Sequence, residues 1–143
     1  MINPTIEKFG YPTTLIKAYE HWVVLARPAQ VTLGSLILAA RSPATAYSHL
    51  PVSAFAEQAQ VVAEIERALA AFSGYEKINY LMLMMVDPHV HYHIIPRYEG
   101  ERSWDGLTLK DAGWPGVPDL KNAVALDGEQ MAALVDELQQ LFR

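Results

Sequence analysis

The sequence predicts one domain that mixes β-strands with helices. Short β-branched and aromatic runs before residue 40, a helical periodicity after residue 53 and two further strand-like runs behind it point that way. The 143 residues suit a single compact unit, with a core over about residues 15–97 and a C-terminal loop and helix over 98–143. Apolar residues make up 51% of the chain, enough for one core without disulfides. Cysteine is absent, which excludes a disulfide framework, a thiol nucleophile and any Cys-type zinc site. The net charge of −5 and the lack of a Lys/Arg run argue against a nucleic-acid partner. Residues 1–10 include Glu7 and Lys8 and no apolar stretch, so no signal peptide is expected. The longest apolar run, residues 80–86, is too short to span a bilayer. A soluble, cytoplasmic protein with no membrane partner is expected.

The elements follow in order. Residues before Leu15 read as a short lead-in, residues 15–18 as an edge strand, and residues 21–26 as a strand broken by Arg27-Pro28. Residues 34–39 read as a strand that starts on Gly34, and residues 41–50 as a loop. Ser53 is placed to cap a helix whose buried stripe is Phe55, Ala59, Val62, Ile65, Leu69 and Phe72, with Gly74 at its end. Residues 77–86 form a long strand without alternation, which needs cover on both faces, from this chain or from a partner subunit. Asp87-Pro88 makes a turn, residues 89–95 form the next strand and Pro96 ends it. Residues 97–122, rich in Gly, Pro and Trp, form an ordered loop in which Trp104 and Trp114 act as anchors or stack on a base. Asp127, with Gln130 completing a capping box, starts a last helix with Met131, Leu134, Val135, Leu138 and Leu141 on its apolar face.

The strand His89-Val90-His91-Tyr92-His93 carries the chemistry. Alternation puts His89, His91 and His93 on one face and Val90, Tyr92 and Ile94 on the other. The second set suits a core, so the first is expected to look outward, at solvent or into a cleft. A neutral imidazole is a nucleophile toward phosphorus, and its neighbours can orient it and stabilise charge. The same three side chains also suit a metal ion, or a solvated face with no task. His21 and His49 lack partner spacing and read as ordinary residues. Arg102 and Lys110 sit among acidic residues and read as mixed surface.

The segment His89-Val90-His91-Tyr92-His93-Ile94-Ile95-Pro96-Arg97 resembles the signature of the histidine triad (HIT) family, His-φ-His-φ-His-φ-φ with φ apolar. Over roughly residues 19–97 the order of elements agrees with it. The resemblance implies an α+β fold with an antiparallel sheet of about five strands, one long helix and a C-terminal helix, paired into a homodimer. It implies a nucleotide or nucleotide conjugate as substrate, cleaved by a nucleotide hydrolase or nucleotidyl transferase acting at an α-phosphate. His91 is then the nucleophile, His89 and His93 assist, and no metal or cofactor is required. Asn79 and Arg97 are candidate substrate contacts. The chain also departs from the family. Met85 and Val86 stand where Gln and Ser or Thr are common, and Ser35 stands where a fourth His often follows the Gly. No Asp or Asn for a ribose is found among Ala26, Arg27 and Gln30. These departures leave a nucleotide-binding protein with little activity as one alternative, and a metal-binding protein using His89, His91 and His93 is another.

Overall fold

Strands β2 (Trp22–Ala26) and β4 (Leu36–Ala40) send no side chain to solvent: every residue of both is buried. Strands apolar on both faces belong inside a sheet with cover above and below. In the computed structural model, which describes residues 1–143, both sit within a five-stranded antiparallel sheet. Its order is β1 (Leu15–Ala18), β2, β4, β6 (His91–Arg97) and β5 (Lys77–Leu81). Helices α2 (Val52–Ser73) and α3 (Gly128–Leu141) cover one face, where Trp22, Val24, Leu38 and Ile94 pack with Ile65, Leu69, Leu134 and Leu138. The architecture is thus the expected α+β arrangement, and α3 shares the main core. No helix is long and apolar enough to cross a membrane.

The other face is covered by residues read above as a lead-in. Helix α1 (Pro4–Lys8) starts with Pro4 in its first turn, and the Asn3 side chain accepts a hydrogen bond from the Ile6 amide. Asn3 Nδ2 also donates to the carbonyls of Ala40 (2.9 Å) and Ser42 (3.0 Å), which ties the segment to the end of β4. Ile6, fully buried, packs on Val23, Leu25, Ile37 and Ala39, with Ile2, Phe9, Tyr11 and Leu15 around it. The second layer therefore comes from the chain's own N-terminal segment.

Several boundaries differ from the sequence reading. Helix α2 starts two residues early, after Pro51, with no side-chain cap, so Ser53 lies inside it. Its buried face is Ala54, Val61, Ile65, Ala68 and Leu69, and Phe55 is 38% exposed. The small Ala54 lets the helix approach closely enough for the Trp22 indole to donate to its carbonyl (2.8 Å), while Phe55 packs on the Tyr47 ring. Strand β5 stops at Leu81, well before residue 86. Met84 takes a positive φ of 46°, and Leu83, Met85 and Val86 are exposed. Pro96 lies inside β6, opposite Ile78. Its missing N–H faces the side where β4 has already ended, and there its carbonyl accepts from the Thr32 hydroxyl.

The loop after β6 holds a hairpin of β7 (Arg102–Trp104) and β8 (Leu107–Leu109), turned by Asp105 and Gly106, both at positive φ. Trp104 anchors it, donating to Glu137 and packing edge-on against Phe72. A two-residue pairing of β3 (Ala29–Gln30) with β9 (Val124–Ala125) closes the chain back onto the β2–β4 connection. Gly34 in that connection has φ +90°, and a Cβ there would stand 3.2 Å from a Leu69 methyl. Gly34→Ala is expected to cost about 1–2 kcal/mol, most of it backbone strain. A urea titration should show a lower midpoint with an unchanged m-value.

Candidate active site

Strand β6 is held on both sides: Ile37 and Leu81 stand opposite His93, and Ala39 opposite His91. The pleat turns Val90, Tyr92 and Ile94 toward the helices, so His91 and His93 emerge on the opposite face. His89 precedes the strand in a bend, yet it meets the same cover, because its Nδ1 lies 2.9 Å from the Thr5 hydroxyl. The Phe9 ring sits 5.6 Å from the His91 ring and 5.8 Å from that of His93, and the two imidazoles are 5.2 Å apart between centroids. The three histidines do share a face, but it does not open to solvent. The N-terminal layer closes over it, leaving His91 2% and His93 9% exposed. None of the molecule's cavities is lined by either residue.

Hydrogen bonds orient the rings. Nδ1 of His91 lies 2.7 Å from the His89 carbonyl oxygen. A carbonyl only accepts, so Nδ1 carries a proton, and in the neutral ring Nε2 keeps its lone pair, the form an attacking imidazole needs. Nδ1 of His93 lies 3.3 Å from Nε of Arg27. Burial, then the Arg27 charge, then His91 push His93 down to about 4 against a weaker pull from Asp87, so His93 is neutral near pH 7. Arg27 is itself lowered by burial. No group of three or more His, Asp or Glu side chains stands close enough to hold a metal ion, because the imidazoles turn to separate partners.

The other candidates lie apart from this cluster. Arg97 is on the same face of β6 as His93, about 13 Å farther along at four residue rises. It is 3% exposed, forms a two-pronged pair with Asp111 (2.7 and 3.0 Å) and donates to Asn79 Oδ1 (2.8 Å). Ser35 is buried and closes its own turn, donating to the Thr32 carbonyl (2.7 Å) and accepting from the Thr32 amide (3.0 Å). Met85 and Val86 point to solvent. Arg27, Phe9 and Thr5, which do reach the histidines, were not singled out from sequence. Arg27 stands two positions past Leu25, so the pleat puts it on the histidine face, but that follows only once the strand order is known. The Asn3-Pro4 start marks α1 without saying where it docks.

No family model matches the chain, and no curated protein sequence matches it. Solved structures do. A histidine triad protein from Sinorhizobium meliloti aligns over 98% of this chain and 95% of its own, with 20% identity and a TM-score of 0.75. One from Bradyrhizobium japonicum aligns over 100% and 98%, with 19% identity and a TM-score of 0.71. The diadenosine triphosphate hydrolase of Plasmodium falciparum, solved with cyclomarin A, aligns over 90% and 76%, with 11% identity and a TM-score of 0.62.

The Arg97–Asp111 pair is buried at both ends and also accepts the Tyr98 amide, so it pins the loop after β6 to the sheet. Asp111→Ala leaves a buried guanidinium without its partner, and a loss of about 3–5 kcal/mol is expected in chemical denaturation. Adding Arg97→Met should recover a large part of that loss.

Proposed function

We propose that this chain, which has the fold of the histidine triad proteins, is an enzyme that binds a nucleotide or nucleotide conjugate and cleaves it at the α-phosphate, with His91 as nucleophile. The observation that carries the reading is the His91 Nδ1–H bond to the His89 carbonyl, which in the neutral ring puts the lone pair on Nε2. Its lone pair attacks phosphorus, the bond to the leaving group breaks, and the leaving group departs with that electron pair to take a proton from solvent. The resulting nucleotidyl-histidine is an N-phosphorylated imidazolium, and the His89 carbonyl favours its positive form. Water, or a second acceptor in a transferase, then displaces it and returns the lone pair to Nε2. His89 orients the nucleophile through its backbone oxygen, and His93 stands at the reacting group. His91 is 2% exposed and the Phe9 ring stands 5.6 Å from its ring, so the N-terminal layer borders the approach of a substrate. Asn79 and Arg97 line a cavity between β5 and residues 115–118, so any contact they make with substrate is distant from the scissile bond.

The fold of a diadenosine triphosphate hydrolase among the structural neighbours supports the reaction class. A nucleotide-binding protein with little turnover is the second reading, favoured by the closure of Ser35 into its own turn and by the closed histidine face. We also propose a homodimer. Strand β5 is an outer strand of the sheet, and the exposed Leu83, Met85 and Val86 follow it, an apolar edge of the kind that pairs with a second copy.

His91→Ala should abolish turnover of a nucleoside phosphoramidate or dinucleoside polyphosphate, by several orders of magnitude, with the fold intact. Mass spectrometry of base-quenched enzyme, which preserves the acid-labile P–N bond, should find a nucleotidyl adduct on His91 of the native chain and none on the variant. A near-normal rate in the variant would overturn the nucleophile, and a native chain that binds but never labels would favour the second reading. Sedimentation equilibrium at micromolar concentration should give twice the 15.9 kDa of one chain; a single-chain mass would rule the dimer out.

A further inference from the structure

The histidine face contains one cation that no carboxylate answers. Arg27 lies just past β2, with Nη1 donating to the Ala29 carbonyl (2.5 Å) and Nε donating to Nδ1 of His93 (3.3 Å). None of the ion pairs in the molecule includes it. Arg97, at the other end of the same face, is held by Asp111. The difference matters for the ring beside Arg27. A guanidinium only donates, so Nδ1 of His93 has to accept and cannot carry a proton. The opposite flip of the ring would set a carbon against the guanidinium and lose the bond. The proton of a neutral His93 is therefore on Nε2. His91 has the reverse arrangement, with its proton on Nδ1 and its lone pair on Nε2. Two imidazoles 5.2 Å apart and inclined at 71° are thus in opposite tautomers, one ready to give a lone pair and the other an N–H.

We propose that Arg27 is a positioning residue: it fixes His93 as the neutral Nε2–H tautomer, a hydrogen-bond donor beside the His91 lone pair. Its catalytic meaning rests on His91 being the nucleophile, while its spectroscopic test does not. A donor in that place holds a phosphoryl oxygen as charge develops on it. The fixed positive charge of the site is then a guanidinium, which keeps its proton throughout the working pH range, and His93 need not be charged. The charged and titratable groups acting on His93 are Arg27 from the end of β2, His91 from its own strand and Asp87 from the loop before it. Ile37, Leu81 and Phe9, from β4, β5 and the N-terminal layer, bring no charge. Arg27 and His91 both act against an imidazolium, with burial, and Asp87 is tied to Lys8 at 2.8 Å.

The test uses the full chain with ¹⁵N-labelled histidine. Long-range ¹H–¹⁵N spectra between pH 5.5 and 8 should show His93 with a protonated Nε2, a bare Nδ1 and no titration. In Arg27→Met the ring should mix tautomers and its ionisation should move upward from the native position, with burial still holding it below the ordinary imidazole range. Its kcat should fall about 10²-fold with KM moved far less, and its pH–rate profile should gain an ionisation that the native chain lacks. Arg27→Lys, which keeps a cationic donor, should hold His93 neutral and recover part of kcat. Urea midpoints of both variants separate a folding loss from this effect. A native His93 with its proton on Nδ1, or one titrating near 6.5, overturns the proposal; so does an Arg27→Met spectrum identical to the native one. If the spectra agree and no nucleotide is turned over, Arg27 keeps its role and the nucleotide reading falls. If turnover proceeds through His91 and the spectra disagree, the nucleotide reading stands and the role of Arg27 falls.

Discussion

A sheet whose inner strands are apolar on both faces has to be covered twice, and the second cover governs this molecule. Strands β2 and β4 bury Trp22, Val24 and Leu38 under the helices and Val23, Leu25 and Ile37 on the other side. Ile6 seals that second side, and burial of such a side chain contributes roughly 1.5–3 kcal/mol. Phe9 continues the same layer onto His91 and His93. The interaction that completes the core therefore also sets the environment of the histidines. It removes water from around His93, the largest cause of its lowered basicity.

Under that cover each imidazole needs a partner, because an unpaired buried polar group costs about 1–3 kcal/mol. Each Nδ1 finds a different one: the Thr5 hydroxyl for His89, the His89 carbonyl for His91 and the Arg27 guanidinium for His93. No buried side-chain nitrogen or oxygen in the molecule is left without a partner. These partners fix ring orientation and, for His91 and His93, which nitrogen bears the proton. Three side chains that repeat every second residue thus acquire three distinct electrostatic roles.

The two arginines of the histidine face show how partners decide what a cation does. Arg97 is paired with Asp111, with Asn79 and the Tyr98 amide in the same network, so its charge is neutralised and serves to hold a loop. Arg27 has only a carbonyl and an imidazole, so its charge acts on His93. Nothing in the residue type separates these fates, and the acid that does so lies in the loop beyond β6.

Local chemistry was legible in the sequence wherever the determining residues are neighbours along the chain. Alternation along β6 placed His91 and His93 together and opposite Ile94, the Asp127–Gln130 capping box is present as written, and Gly74 ends α2 in the left-handed conformation. Asp105-Gly106 is a hairpin signal of the same local kind, set inside a loop rich in Gly and Pro. The helical period of α2 was also legible, but its rotation was not, because the sheet decides whether Ala54 or Phe55 faces inward. The end of β5 depended on its pairing with β6, which stops with Leu81 opposite His93, and the tolerance of Pro96 depended on where β4 stops. What covers the histidines, and which arginine meets one of them, depended on contacts between residues far apart in sequence, such as Thr5 with His89 and Arg27 with His93. Periodicity encodes which face of its own element a side chain takes, and only the packing of that element against distant segments decides what the face meets.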